Sequence, residues 1–287
     1  MATKKTSKKA VTKTIQKKDG SPIRLAFNSS MPRSGSELLQ GILSQHPEVC
    51  AGTTSPLLEY VYASFKNFKD CQEAKSQKDA GSHFYPFVKG GVSAYAETFR
   101  KNNESVYLDK SRGWVHYRNI IQEAFGCNIP VVCMVRDIAD IAASMERIWR
   151  KNEPSHLDPL KLVTMEERIS NWFTSTPIGL AIRRIQNALS KNEAIFFCRY
   201  EDLCLAPEET MKQILQHLSL PEFKFDFENI EKATSEDELA FGFAGLHSVQ
   251  TKLRKDLPKA EEVLGEQMAK SLREEYSGYQ NLFKYQA

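Results

Sequence analysis

The chain has 287 residues, 41% of them hydrophobic, enough to bury a full core as one large or two small domains. Its net charge of +3 is too small to argue for nucleic acid, and no run approaches the roughly 18 apolar residues of a membrane span. The six cysteines form no C-x-x-C pair or Cys/His cluster, so neither a disulfide framework nor zinc is expected and a reduced, cytoplasmic protein is the simplest account.

Residues 1–22 read as a basic, disordered tail. Lys4, Lys5, Lys8, Lys9, Lys13, Lys17 and Lys18 face only Asp19, and almost nothing apolar is available to pack. The segment also lacks the apolar core of a signal peptide. A solvated tail is the expectation, ahead of a nucleic-acid or membrane role. The folded domain is then expected over 23–287.

An apolar strand, Arg24–Ser29, runs into Pro32-Arg33-Ser34-Gly35-Ser36, and a helix carrying Leu38, Leu39, Ile42 and Leu43 follows. A small-residue loop between strand and helix presents backbone N–H groups and a helix N-terminus to an anion. The ATP-binding form of such a loop requires Gly-x-x-x-x-Gly-Lys-Ser/Thr. Here the Gly-Lys pair is missing, and the cation, Arg33, precedes the glycine. The loop suits a phosphate or a sulfate rather than Mg-ATP.

Three more apolar runs read as buried strands: Ser105–Asp109, Pro130–Val135 and Ala194–Arg199. Helical patterns are expected over Pro56–Phe68, Val92–Lys101, Trp114–Phe125, Met165–Ser190 and Pro207–Leu218, and over a last helix from about Ala260 to Tyr279. After the third strand, Ile138, Ile141, Ala142, Met145, Ile148 and Trp149 form one apolar face. Asp137, Asp140, Ser144 and Arg147 make a polar stripe beside it. Strand and helix alternate throughout, so the expectation is one α/β domain with a central parallel sheet flanked by helices. The aromatic-rich segment from Pro56 to Ala96 either lines a substrate site or packs in the core.

Three anchors fall at the carboxyl ends of strands, where open α/β sheets bind ligands. They are the loop around Arg33, the segment Asp109-Lys110-Ser111-Arg112-Gly113-Trp114, and Val135-Arg136-Asp137 followed by Ser144. Together with Tyr200-Glu201-Asp202-Leu203 before Pro207-Glu208-Glu209, they resemble the sulfotransferase superfamily over roughly residues 23 to 285. The segments Trp149-Arg150-Lys151 and Gly245-Leu246-His247-Ser248 suit the bacterial and phage sulfotransferases related to tyrosylprotein sulfotransferases.

The resemblance implies a P-loop-like sulfotransferase fold and 3′-phosphoadenosine 5′-phosphosulfate (PAPS) as sulfuryl donor, with adenosine 3′,5′-bisphosphate (PAP) as product and no metal. It implies that Arg33 and the backbone of Ser34, Gly35 and Ser36 cradle the 5′-phosphosulfate. Arg136 and Ser144 would hold the 3′-phosphate, Lys110 would lie near the bridging oxygen, and Ser248 would contact the sulfate region. Tyr200 would sit near the adenine or pack as a core tyrosine; His247 would line the pocket or cap a turn. Glu37 stands in the donor loop where the family often has a small hydroxyl residue, so its carboxylate is expected to turn outward or bind a cation. The base of tyrosylprotein sulfotransferases falls on Thr54, which cannot serve, leaving Glu59, Asp109, His116 and His247 as replacements.

The acceptor stays open among small molecules, glycans and peptides, with neither nucleic acid nor a membrane expected as partner. The competing readings are a P-loop-type kinase and a nucleotide-binding or interaction protein that has lost its base.

Overall fold

The computed structural model describes residues 22–152, 164–191, 195–233, 237, 240, 242, 244–246 and 251–285. Strand β1 (Arg24–Ser30) leads to helix α1 (Ser36–Leu43), β2 (Val49–Thr54), α2 (Leu57–Asp70), α3 (Gln72–Ser76), α4 (Gly81–Glu97), β3 (Val106–Lys110) and α5 (Trp114–Phe125). The chain continues through β4 (Val131–Val135), α6 (Ile138–Lys151), α7 (Met165–Thr174), α8 (Ile178–Ser190), β5 (Ile195–Arg199), α9 (Tyr200–Leu205) and α10 (Pro207–His217). Three further helices follow: α11 (Glu261–Leu264), α12 (Glu266–Glu275) and α13 (Ser277–Leu282). The basic segment 1–21, His247 and Ser248 lie outside the described residues.

The strands form one parallel sheet in the order β2-β3-β1-β4-β5. From β1 the chain builds one edge through β2 and β3, then crosses over to β4 and β5. The direction of winding therefore reverses around β1, and the crevice beyond its carboxyl end is where such sheets bind ligands. Side-chain alternation assigns the two faces. Ala26, Val132 and Met134 pack with Leu38, Leu39, Ile42 and Leu43 of α1 and with Met211 and Ile214 of α10. On the other face Phe27 and Val131 meet α2, α4 and α5, while Cys133 and Val135 meet α6, α8 and the C-terminal helices. All five residues of β4 are buried, as expected for a strand covered on both faces.

Several elements depart from the sequence-based expectation. Strand β2, Val-Cys-Ala-Gly-Thr-Thr, has no apolar run to announce it; as an edge strand it needs only partial burial. Helix α4 begins at Gly81 rather than Val92, despite Pro86, Gly90 and Gly91. Phe84, Val88, Val92 and Ala96 recur every fourth residue on its buried face, and that packing outweighs the helix-breaking residues. The expected helix over 165–190 is two, α7 and α8, divided at Ser175-Thr176-Pro177. The expected last helix is three, divided at Gly265 and Tyr276.

Candidate active site at the carboxyl edge of the sheet

The turn after β1 is built around two left-handed residues, Arg33 at φ 56° and Gly35 at φ 88°. Such turns gather successive backbone N–H groups into an anion-binding concavity at the start of α1. Glycine at position 35 is required twice over. A side chain is strained at that φ, and an added Cβ would lie 2.6 Å from the Tyr200 ring. The Ser34 hydroxyl is turned inward, 2.7 Å from the Met31 carbonyl and 2.9 Å from that of Met134, so Ser34 braces the loop and leaves its backbone to face a ligand.

Beneath the loop, a buried amide relay ties three strands to α1. Asn28 Nδ2 donates to the Ser36 carbonyl at 2.9 Å and to Gln40 Oε1 at 2.8 Å. Gln40 Nε2 donates in turn to the carbonyls of Gly52 and Leu108, at 2.9 and 2.8 Å. These bonds set the depth of α1 against β1, β2 and β3. No motif in the sequence marked either residue.

Arg33, Lys110 and Arg136 converge on this loop. Arg33 Nε donates to Ser144 Oγ at 3.2 Å, and its Nη1 donates to the Leu246 carbonyl. Arg136 Nη1 donates to the Arg33 carbonyl at 3.2 Å, and its guanidinium lies 4.6 Å from the Tyr200 ring centroid. Its Nε is buried without a hydrogen-bond partner. Lys110 donates to Glu37 and, at 2.5 Å, to Thr54 Oγ1, so the Glu37 carboxylate binds a cation.

The Arg136 loop is locked from behind by the C-terminal helices. Tyr279 Oη donates to the Arg136 carbonyl at 3.1 Å. Asp137, the N-cap of α6, accepts from Arg273 Nε at 3.0 Å and from Gln280 Nε2 at 2.7 Å. Opposite charges and these bonds hold the Arg273 guanidinium above its ordinary range, against the burial that pulls it down.

These groups open into one cavity of about 1190 Å³. Beyond Arg33, Lys110 and Arg136, its wall carries Arg112, Arg147, Lys151, Arg184 and Arg254. The carboxylates among the described residues of the wall are Glu37 and Glu59. Burial, and then the neighbouring Arg136, lowers the Arg147 guanidinium below its ordinary range. Burial, and then Arg184, does the same to Arg112. Arg112 is exposed at its place on the cavity wall. The arrangement is short of negative charge.

Of the residues weighed as bases, Asp109 is fully buried and accepts from Tyr107 Oη at 2.8 Å and from Trp114 Nε1 at 2.6 Å. It anchors the first turn of α5 and lies off the cavity wall, as does His116. Glu59 lies on the wall. The described Gly245 and Leu246 reach the wall as well, immediately before His247 and Ser248. The aromatics of 56–96 do not line the cavity: Phe84 stacks on Phe68 at 4.1 Å within the core, and Tyr60, Tyr62 and Phe87 are exposed. Sequence reasoning assigned no role to Arg112, Arg147, Arg184 or Arg254. Arg147 showed in the polar stripe of α6 and Arg112 stood beside Lys110, whereas Arg184 and Arg254 carried no signal. Among the described residues, no group of three or more His, Cys, Asp or Glu is placed to hold a metal, and no helix is long and apolar enough to cross a membrane.

Asp140 gives this site a pH signature. Burial, helped by Asp137 and Glu201, raises its carboxyl to about 6, although Arg136 at 4.0 Å pulls the other way. A raised carboxyl favours the protonated folded state, so its contribution is complete below the unfolded value near 3.9 and is lost as pH rises through about 6. Asp140→Asn should therefore add more stability at pH 8 than at pH 5, the difference between the two gains being about 1–2 kcal/mol. Thermal melts of both proteins at the two pH values measure it, and an equal gain at both would contradict the assignment.

Residues 26–224 match the family model described as the sulfotransferase family. The sulfotransferase domain of the curacin biosynthetic pathway superposes with a TM-score of 0.50 at 17% identity, covering 89% of this chain and 98% of that one. Sulfotransferase STF9 from Mycobacterium avium gives 0.48 at 15% identity, covering 93% and 79%. Mouse sulfotransferase SULT7A1, complexed with PAP, gives 0.48 at 11% identity, covering 92% and 86%. No curated protein matches the chain. The family match spans more than half of the sequence, from the first strand through the loop and all three anchors to the end of α10, and the chain belongs to the sulfotransferase family.

Proposed function

We propose that this protein transfers a sulfuryl group from PAPS to an acceptor hydroxyl or amine. The observation that carries the reading is the pair of anion positions on one wall. The Arg33–Ser36 turn provides one. Arg136, with a buried unpartnered Nε and Arg147 and Arg254 on the same wall, provides the other. A donor with separate 5′ and 3′ phosphate groups requires two such positions, and the planar guanidinium fork suits phosphate oxygens. Gly35 fits as well, since a side chain there would be strained and would collide with Tyr200, which bounds the loop.

In this reading, Arg33 and the N–H groups of Ser34, Gly35 and Ser36 hold the phosphosulfate, and Arg136 with Ser144 holds the 3′-phosphate. Tyr200 bounds the adenine side. PAPS supplies an activated sulfuryl group whose departure from phosphate builds negative charge on the bridging oxygen. Lys110 stabilises that charge once it exchanges its Glu37 contact for the phosphate, and fixed cations aimed at developing charge give a large share of such rate gains. Glu59 is the base among the described wall residues, since Glu37 is engaged with Lys110. Its role would be to take the acceptor proton as the acceptor attacks sulfur opposite the phosphate.

Thermal unfolding with PAP, 5′-AMP and Mg-ATP tests the donor. A ligand at 100 times its dissociation constant adds about 2.7 kcal/mol, or roughly 5–10 °C for a chain this size. PAP alone should produce this shift, and Arg136→Ala should weaken PAP by about 10–100-fold, as expected for a lost charged hydrogen bond. No shift with PAP, or a larger one with Mg-ATP, would refute the reading.

A further inference from the structure

The donor reading leaves cations on the cavity wall without a task. Arg112, after β3, and Arg184, on α8, are not among the groups assigned to PAPS and make up a second region of the wall. Tyr200, which bounds the donor side, packs in the cluster with α1. Tyr117 and Trp172, the neighbours of the second region, pack in the two clusters on the other face.

The backbone of Arg112 and the side chain of Arg184 are each held. Ser29 Oγ donates to the Arg112 carbonyl at 3.0 Å and accepts from the Val115 N–H at 3.2 Å, pinning Arg112 between the end of β1 and the first turn of α5. Arg184, on α8, holds its guanidinium 5.5 Å from the ring centroid of Tyr117, on α5. Its Nε is buried and has no hydrogen-bond partner.

Three buried or half-buried arginines elsewhere in the described fold are each given a carboxylate. Arg168 has Glu146, Arg273 has Asp137 and Glu261, and Arg100 has Glu97. Among the described residues, no carboxylate lies within ion-pair distance of Arg112 or Arg184. The two are instead close enough for Arg184 to disfavour the charge on Arg112. Like charges held together in a partly dehydrated wall are unfavourable until an anion joins them.

We propose that Arg112 and Arg184 form an acceptor subsite for an anionic group, so that the acceptor is a molecule already carrying a phosphate, sulfate or carboxylate beside the hydroxyl or amine that receives sulfate. This deepens, and rests on, the sulfotransferase reading above. In-line transfer requires the acceptor across the sulfur from the departing phosphate, and the subsite would put it against the wall that carries Arg112 and Arg184. Trp149, Asn171, Trp172 and Thr176 complete the same wall and offer flat apolar and neutral polar surface for the acceptor's body. A single anion between the two guanidinium groups would orient that body and offset their repulsion.

The test is calorimetric titration of the PAP-loaded protein with phenyl phosphate and, as its neutral counterpart, phenol. Phenyl phosphate should bind at least tenfold more tightly. Arg112→Gln and Arg184→Gln should each weaken it about tenfold, and Arg184→Lys, which keeps the charge, should weaken it less. PAP affinity should be unchanged in all three variants, which also reports that they fold. Equal binding of phenol and phenyl phosphate, phenyl phosphate binding indifferent to the substitutions, or loss of PAP affinity in the variants would each overturn the subsite. Failure of PAP to bind the unsubstituted protein is a different result, because it removes the donor reading itself.

Discussion

Lys110→Met should lower kcat by about 10²–10³-fold, the usual consequence of removing one donor aimed at developing negative charge. It should also lower folding stability by about 1–3 kcal/mol, because Glu37 would be left without its cation at a largely buried position. The two losses have different origins and can be separated. In Lys110→Met/Glu37→Gln, the stranded carboxylate is gone, so stability should return most of the way toward that of the parent. Turnover should not return, since the bridging oxygen still lacks its cation. Radiolabelled sulfate transfer and denaturant unfolding on the single and double variants provide both readouts. Recovery of kcat in the double variant would make Lys110 a purely structural partner of Glu37. Glu37→Gln alone is informative in the opposite sense: it frees Lys110 and removes a negative charge from the donor loop, so the KM for the donor should fall.

Much of this arrangement was legible before any coordinates, and for a physical reason. A strand covered on both faces must be apolar along its length, so β1, β3 and β4 stood out as runs, while β5, an edge strand only partly buried, stood out through its own Ile-Phe-Phe-Cys run. Charged residues closing such runs must lie at the carboxyl edge, which brought Arg33, Lys110 and Arg136 together. An edge strand like β2 answers to weaker rules, and its Cys-Ala-Gly-Thr sequence gave no periodicity to read. Helix α4 hid for the converse reason, as its glycines and proline signalled a break that burial of Phe84, Val88, Val92 and Ala96 overrides. Within the site, residues on local motifs were readable and residues delivered by long-range packing were not. Arg184 arrives on a helix that looks simply amphipathic, Arg254 lies in no motif, and Asn28 and Gln40 become a relay only when three strands align. Glu37 was flagged as a misfit in its loop, but its pairing with Lys110 depends on the distance between α1 and the end of β3, which no local pattern encodes.

Glu146→Ala should be the most destabilising of the changes considered, at about 3–5 kcal/mol, the range for breaking a buried ion pair by removing one partner. The Glu146 side chain is 0% exposed. It accepts from Arg168 Nη2 at 2.7 Å and Nε at 3.2 Å, and from Arg150 Nε at 2.8 Å. Without it the Arg168 guanidinium, with its side chain 7% exposed, loses the carboxylate that accepts from both Nη2 and Nε at a position beside the core residues Ile169 and Trp172. For a domain this size, that should lower the unfolding midpoint by on the order of 10 °C. Replacing both partners, as in Glu146→Met/Arg168→Met, should recover most of the loss, because an apolar pair of similar volume leaves no charge stranded. If it does not, the stabilisation comes from the geometry of the pair rather than from avoiding an unpaired charge. The consequence extends to the cavity, since the Arg168 guanidinium lies 3.6 Å from the centroid of Trp149, whose ring lines the wall. The double variant should therefore fold with nearly the parent's stability and still bind PAP normally, because Arg33 and Arg136 are untouched. It should bind phenyl phosphate less well, because Trp149 would lose the stacked cation that holds its ring against α7.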